Sequence, residues 1–433
     1  MVARIRLHDK QYEINMFRVR AVLAGIACVL IVMLLIVRLV NLQIVNHEVF
    51  STLSLNNRLQ LRAVAPTRGL IYDRNGAVLA ENRPIYLLEI TLEEVGDLNA
   101  TLTELGQIIS LRDTEIERFR ESLKRKRRFE PVPLRFNLNE IEVAHFAVNR
   151  HRFPGVDIAA RLSRYYPFGP SAAHVLGYVG RIDERDIETV DISNYRATTH
   201  IGKLGVERAY ETELHGTAGY RQAEVNVQGR VLRVVEEQLS IPGKDLYLNL
   251  DMDLQQIAEQ ALGEEWGSVV AIDPRDGAVR VLVSKPAFDP HPFVNGISTD
   301  DYNALQNSEA RPLFNRALIG QYPPGSTIKP FMGLAGLETE TRREEDRIHC
   351  RGFFQLPGDS RRYRDWKKTG HGAVDLEESI AQSCDIYFYD LANRMGIDAM
   401  AEFLGRFGLG KLTGIDVHGE KAGLIPSTAW KRK

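Results

Sequence analysis

Neither sign of charge dominates this chain: 55 lysines and arginines against 57 aspartates and glutamates leave a formal net charge of −2. A nucleic-acid partner, held through a surplus of basic side chains, is therefore not expected. No period of repetition runs through the sequence and no segment is low in complexity, so nothing points to a repeat array or a disordered tract. Cysteine is scarce, with three in 433 residues. Cys28 falls in an apolar run and is read as a small packing residue, which leaves Cys350 and Cys384 and room for one disulfide at most.

Long apolar runs are missing except at one place. Ala21 to Val37 carries no charge over 17 residues and continues past Arg38 through Leu39, Val40 and Leu42. That length spans a bilayer with slight adjustment. Arg4, Arg6, Lys10, Arg18 and Arg20 precede it and only Arg38 stands just after it. The positive-inside rule places residues 1–20 in the cytoplasm and everything after about residue 45 outside. A cleaved leader is the poorer reading, because its apolar region is usually about 7–15 residues long and no small-x-small cleavage site follows here. An uncleaved signal anchor over 21–45 is expected, which puts the bulk of the chain in an extracytoplasmic compartment. There, the thiols of Cys350 and Cys384 must be paired, liganded or protected.

The length gives room for two or three domains. Residues 46–240 read as a first extramembrane region, opening with Asn57-Arg58-Leu59-Gln60. Asn75-Gly76 between Leu70-Ile71-Tyr72 and Val78-Leu79-Ala80 predicts a hairpin. Residues 97–128 have helical periodicity and finish in Arg118, Arg120, Lys124, Arg125, Lys126, Arg127 and Arg128, a solvated helix end or a site for an anionic wall polymer or lipid surface. From Arg164 to Arg230 the texture is of strands with a short amphipathic helix near Gly205-Val206-Glu207. Residues 241–433 read differently: a strand from Asp245 to Leu250, a helix from Asp253 to Leu262, and two strands, Gly267–Asp273 and Ala278–Ser284, joined through Pro274-Arg275-Asp276-Gly277. A central hairpin followed by helices predicts an α+β arrangement.

Tyr322-Pro323-Pro324-Gly325-Ser326-Thr327-Ile328-Lys329 carries the chemistry. The prolines and glycine end an extended segment, and Ile328 to Leu337 predicts a buried helix. Ser326 then falls in the first turn, where free N–H groups and the helix dipole favour an anionic oxygen. Residues three apart share a helix face, so the Lys329 amine is expected to reach the Ser326 hydroxyl and act as its base, with desolvation by an apolar surround pulling its pKa down far enough to leave it uncharged at neutral pH. Ser383-Cys384-Asp385 follows an acidic helix, Asp375 to Gln382. Ser383 and Asp385, two apart in a turn, would point together toward Ser326 and Lys329, relaying a proton and holding the lysine.

In this order the two motifs resemble the penicillin-binding transpeptidases, which use Ser-x-x-Lys, then Ser-x-Asn or Ser-x-Asp, then Lys-Ser/Thr-Gly. The anchor, the segment from Arg68-Gly69 to Asp73-Arg74-Asn75-Gly76 and the Gly205-Val206-Glu207 region look like a class B enzyme. Glu224-Val225-Asn226 to Gly229-Arg230-Val231 and Trp366-Lys367-Lys368 to His371-Gly372 favour the elongation-specific branch of Gram-negative bacteria. The resemblance implies a single-pass inner-membrane protein with a pedestal (dimerisation-like) domain over 46–240 and a transpeptidase domain, similar to serine β-lactamases, over 241–433. It implies that Ser326 opens the D-Ala–D-Ala bond of a stem peptide in peptidoglycan and that a second stem amine closes the cross-link. Water in place of the amine gives carboxypeptidase activity, and β-lactams trap Ser326. A SEDS-type glycosyltransferase and the elongation machinery are the implied membrane partners.

The third motif is expected on a strand after Ser383, and none follows. Lys368-Thr369-Gly370 lies before Ser383 without strand alternation and reads as a coincidental loop. The sequence therefore reads as C-terminally incomplete, and a lost oxyanion donor would lower the rate by roughly 10²–10³. Two rivals follow: a β-lactamase or β-lactam sensor, which shares Ser-x-x-Lys, and a non-catalytic regulator of the glycosyltransferase. Cys350, Asp365, His371 and Cys384 fall within 35 residues and make a plausible tetrahedral set for one structural zinc ion. His349 is an alternative nitrogen ligand, and a Cys350–Cys384 disulfide or two unrelated buried thiols are the competing readings. No metal is needed for the serine chemistry itself.

Overall fold

The computed structural model describes residues 10–46, 59–124, 126–226 and 231–432. Arg4, Arg6, Asn57-Arg58, Arg125 and Gln228-Gly229-Arg230 lie outside the described residues. The chain forms two compact units, residues 1–65 with 218–240 and residues 66–217 with 241–433.

In the first unit a helix runs from Lys10 to Val40 and widens into a π-helical turn, Asn41–Val45. Its stretch Met16–Ile44 is 29 residues and is long and apolar enough to cross a membrane. At 1.5 Å per residue it is about 44 Å long, against a hydrocarbon core of about 30 Å. The helix that contains the expected 21–45 anchor begins before it, at Lys10. The same unit holds an antiparallel sheet of Leu59–Val64, Gly219–Val225 and Val231–Gln238.

The second unit is organised by one long strand, Val78–Thr91. It pairs antiparallel with Val156–Tyr165, Pro131–Leu138 and Ile71–Tyr72, and Leu246–Tyr247 adds parallel to Ile71–Tyr72. Only those two residues of the expected 245–250 strand are in strand pairing; Asp251 then caps the helix Met252–Leu262 through Leu254 N–H. The expected hairpin exists, but its turn is held by Asp73, whose Oδ1 accepts from Asn75 N–H and Ala77 N–H, each at 2.8 Å. Helices Leu98–Ile108, Asp113–Leu123 and Glu140–Asn149 share with the sheet a core of Leu88, Ile90, Leu105, Phe119, Val132 and Phe146. The single helical stretch expected over 97–128 is two helices. Ile109 turns extended and buries its side chain, and Glu115 reaches back 2.9 Å to Arg112 N–H to start the second helix.

Gly267–Ile272 and Val279–Lys285 form the expected antiparallel pair. The buried Gln255 side chain fixes the helix Met252–Leu262 to it, donating to Leu282 C=O at 3.0 Å and accepting from Leu282 N–H at 2.9 Å. The whole is α+β, as expected.

A charged strut that the sequence did not announce ties distant segments of this unit. Glu207, fully buried, accepts from Arg164 at 2.6 Å and from Arg68 at 2.7 Å, while Arg68 also reaches Glu211 at 2.7 Å. Burial by itself would raise the Glu207 carboxyl, but Arg164 and then Arg68 outweigh it and the pKa is lowered. A depressed carboxyl contributes stability that is present above its unfolded value and lost as pH falls through the folded one. Glu207→Gln removes the charge between two buried guanidinium groups and should destabilise the protein by about 3–5 kcal/mol. Denaturant unfolding at pH 7 checks this. The gap between wild type and variant should shrink below the ordinary glutamate range, and an unchanged midpoint at pH 7 would refute the role.

Candidate active site and metal centre

Gly325–Ile328 is a 3-10 turn, and the α-helix proper is Lys329–Glu338. Ser326 therefore stands just before the α-helix and not in its first turn. Pro330, with no N–H to give, is tolerated at the second helical position. The helix is half-buried rather than buried: Lys329, Met332, Gly333, Ala335 and Gly336 face inward, and Phe331, Leu334 and Leu337 are exposed.

The lysine does point inward, with 6% of its surface accessible. Its amine donates to Asp385 Oδ1 at 2.6 Å, to Ser383 C=O at 2.9 Å and to Ser383 Oγ at 3.1 Å. Ser383 Oγ in turn lies 2.8 Å from Ser326 Oγ. The expected direct Lys329–Ser326 contact is replaced by this two-step path. The oxygen between them comes from Ser383, 57 residues on from Ser326 and 54 on from Lys329. The surround is not purely apolar either, since the Phe388 ring at 5.6 Å is joined by the Asp385 carboxylate.

Ser383 and Asp385 point together because of the bend between their helices. Leu376–Ala381, capped by Asp375, ends at Gln382; Ser383 takes a left-handed φ of +53°; and Asp385 opens the helix Asp385–Met395. Cys384 between them is fully buried on the other side of the bend. There it joins Cys350, Asp365 and His371, whose ligand atoms all lie within 4.8 Å of one another. Cys350 Sγ is 3.6 Å from both Asp365 Oδ2 and His371 Nδ1, and those two are 3.7 Å apart. A tetrahedral zinc ion with bonds of about 2.0–2.3 Å sets its ligands roughly 3.3–3.8 Å from one another. The donors fit. His349, the alternative ligand, is exposed on the strand Ile348–Cys350, because alternate strand residues face opposite ways. Both thiols are free. Burial first, then Cys350 and Asp365, pushes the Cys384 thiol up to about 12. His371 Nε2 is buried with no partner among the described residues.

Gly352 and Gly370 let the two loops of this centre cross. A Cβ at Gly352 would sit 2.3 Å from Lys368 O, and one at Gly370 would sit 2.1 Å from Cys350 O.

Two family profiles match the chain: the penicillin-binding protein dimerisation domain over residues 63–248 and the penicillin-binding protein transpeptidase domain over residues 267–433. The peptidoglycan D,D-transpeptidase MrdA of Escherichia coli K12 is 45% identical over 429 residues, 98% of this chain and 68% of that protein. The chain belongs to the penicillin-binding protein 2 family of peptidoglycan D,D-transpeptidases. MrdA of Acinetobacter baumannii is 42% identical, over 99% of this chain and 64% of that one. The structure is similar to that of penicillin-binding protein 2 from Helicobacter pylori in a complex with MreC, with a TM-score of 0.72, 28% identity, and coverage of 86% of this chain and 70% of that one. It also resembles Pseudomonas aeruginosa PBP2 in complex with WCK 5153, with a TM-score of 0.61, 37% identity, and coverage of 86% and 62%. The chain thus spans about two thirds of the length of its curated relatives. Neither the β-lactamase or sensor reading nor the purely regulatory one is favoured by these matches.

In this penicillin-binding protein 2 relative, Lys368-Thr369-Gly370 lies in a turn between Tyr363–Arg364 and Gly372–Val374, off any strand, as the sequence reading had it. What that reading missed is the second job of Asp365. Its Oδ2 accepts from Asp385 N–H at 3.0 Å and Ile386 N–H at 3.4 Å, capping the helix that carries Asp385. Only the aspartate's presence among candidate ligands hinted at it. In chelator-treated protein, Asp365→Ala should lose about 1.5–3 kcal/mol, the range for a hydrogen bond to a charged group. Asp365→Asn, which keeps one carbonyl acceptor, should lose less. Unfolding midpoints decide, and equal midpoints for wild type and Asp365→Ala would remove the cap from the account.

Proposed function

We propose that Ser326 is the acylated nucleophile of a D-Ala–D-Ala transpeptidase, with Lys329, Ser383 and Asp385 as its proton-handling partners. The observation that carries this is the continuous path Ser326 Oγ, Ser383 Oγ, Lys329 Nζ, with steps of 2.8 and 3.1 Å. Ser326 Oγ attacks the carbonyl carbon of the penultimate D-Ala. The step starts from an uncharged Lys329 amine whose lone pair faces Ser383 Oγ: the Ser326 proton moves to Ser383 Oγ as the Ser383 proton moves to that amine, so the pair of hydroxyls ends with one proton fewer and the lysine with one more. Collapse of the tetrahedral adduct breaks the amide C–N bond. The path run in reverse returns the proton to the departing D-Ala amine. An amine of a neighbouring stem then attacks the ester by the same route, and water in its place would give carboxypeptidase activity. Asp385, 2.6 Å from the amine, positions it.

We read residues 46–240 as the pedestal and 241–433 as the catalytic part, a division supported by the two matched ranges. We place residues 1–20 in the cytoplasm and the bulk in the periplasm, on the arginines and lysines that precede the apolar helix. A SEDS-type glycosyltransferase and other elongation components are its proposed partners, in keeping with the MreC complex of the H. pylori relative and with the similarity to a peptidoglycan synthase complex. Cys350, Asp365, His371 and Cys384 would hold one zinc ion, which supplies a rigid brace and no reaction step.

Covalent labelling by fluorescent penicillin tests the nucleophile. Ser326→Ala should abolish labelling, and Lys329→Ala or Ser383→Ala should slow it by about 10²–10⁴. Labelling of Ser326→Ala at the wild-type rate would end the proposal. For the brace, elemental analysis should find one zinc per chain, lost in a Cys350→Ser, Cys384→Ser double variant. Since the thiol of Cys384 is protonated without a cation, zinc uptake should release protons and its affinity should rise with pH. Metal-free protein with a Cys350–Cys384 disulfide would sink the zinc reading.

A further inference from the structure

The basic cluster around the end of the helix Asp113–Leu123 has no part in the serine chemistry. Three of its members, Arg118, Lys124 and Lys126, line a cleft of about 1450 Å³ within the second unit. The strand Pro131–Leu138, the segment from Arg181 to His200 and residues 295–297 line the same cleft. Its lining carries eight arginines or lysines against two glutamates. The chain as a whole is near neutral at −2, so this surplus is local.

Half of these cations are neutralised in place. Arg112, Lys126, Arg135 and Arg161 pair with Glu115, Glu130, Glu142 and Glu89. The other four, Arg118, Lys124, Arg181 and Arg196, are exposed and have no carboxylate partner among the described residues. They come from two separate parts of the chain and line one concavity. Unneutralised like charges gathered in a cleft repel one another and create a focused positive potential, an arrangement suited to an anionic ligand. The lining is not only charged: the Arg181 guanidinium packs over the Phe136 ring at 5.5 Å, and Ile187 and Ile192 are exposed.

The ligand must therefore carry several anionic groups and some less polar surface. A small-molecule site is usually about 300–1,000 Å³, so this volume suits a segment of polymer better. A bilayer surface is flat and cannot fill a concavity. We propose that the cleft binds uncross-linked peptidoglycan strand through the carboxylates of its stem peptides, with Arg118, Lys124, Arg181 and Arg196 as the recognising cations. Guanidinium groups take carboxylates in paired hydrogen bonds, and the apolar side chains would lie against the strand's less polar parts. The inference rests on the transpeptidase reading, because only that reading makes such strands this protein's substrate. The cleft would then act as a second hold on a strand whose end is processed at Ser326.

The test uses the full chain in detergent, carrying Ser326→Ala so that no covalent trapping contributes. Soluble uncross-linked strands with intact pentapeptide stems are the probe, with amidase-stripped strands and phosphatidylglycerol vesicles as comparison arms. Arg118→Glu with Lys124→Glu, and separately Arg181→Glu with Arg196→Glu, should each weaken strand binding about tenfold or more, and binding should fall steeply with salt. Arg120→Glu is the control: it lies on the same helix, bonded to Asn99 at 2.9 Å, and does not line the cleft. Its effect should stay below about twofold, as expected of a surface charge outside the site. Stripped strands should bind as weakly to wild type as intact strands bind to the double variants. Equal binding of intact strands by wild type and both double variants would overturn the proposal, as would stripped strands binding as well as intact ones. Vesicles that bind more tightly than strands, and lose that binding in the same variants, would assign the cleft to lipid instead. Penicillin labelling of the Ser326 protein is read in parallel. Its failure would count against the transpeptidase reading alone, and its persistence in the double variants would show that the fold is intact.

Discussion

The hydrogen bonds from Asp385 N–H and Ile386 N–H to the Asp365 carboxylate are the constraint on which the rest of the site depends. Among the described residues every polar contact of the Lys329 amine goes to Ser383 or Asp385, so the position of these two residues decides where the proton can travel. Those residues sit at a sharp bend, with Ser383 at a left-handed φ that a serine adopts only against a steric penalty. The bend is kept by Cys384 N–H donating to Ser379 C=O at 2.8 Å on one side and by the Asp365 cap on the other. A buried carboxylate at a helix N-terminus also meets the positive end of the helix dipole, which strengthens the hold.

Asp365 caps the helix and also stands among the proposed zinc donors, and metal binding would couple the two tasks. The same Oδ2 that caps the helix faces Cys350 and His371. The residue whose backbone lies between the catalytic serine and aspartate, Cys384, contributes the fourth donor. Metal at this centre would fix both ends of the bend through covalent-strength bonds, while the catalytic hydroxyls remain on the opposite face. On the proposed reading, bracing and chemistry would be separated by the alternation of three consecutive side chains.

The residues proposed as catalytic stood out because Ser-x-x-Lys and Ser-x-Asp are short-range patterns whose members lie close in sequence. The donor set was legible because cysteine, histidine and aspartate are rare enough together to be noticed within 35 residues. The route of the proton was not. It depends on where the fold sets Ser383 Oγ, 57 residues on from Ser326 and 54 on from Lys329, between the two. Periodicity alone also could not show the break at Ile109, which follows from a core position that only the folded sheet creates. The Glu207 strut was hidden for a different reason: Arg68 is 139 residues away and Arg164 is 43 residues away, and nothing local marks three charged residues as partners.

Two ion pairs in this molecule show how burial divides structure from reactivity. Glu207 and Arg164 are almost wholly inaccessible, so neither can trade its partner for water, and the pair fixes register among distant segments. Such a pair adds little net stability over apolar packing, yet breaking it is severe, which suits a strut. Asp385 keeps 27% of its side chain accessible while Lys329 keeps 8%. The aspartate can relax toward solvent as charge on the lysine changes, and the lysine, bound also to a hydroxyl and a carbonyl, does not lose its place when it does. A fully buried pair at that position would hold the geometry equally well but resist the change of charge that proton transfer requires. Partial exposure on one side only is therefore what lets the same type of contact both position the amine and permit it to work.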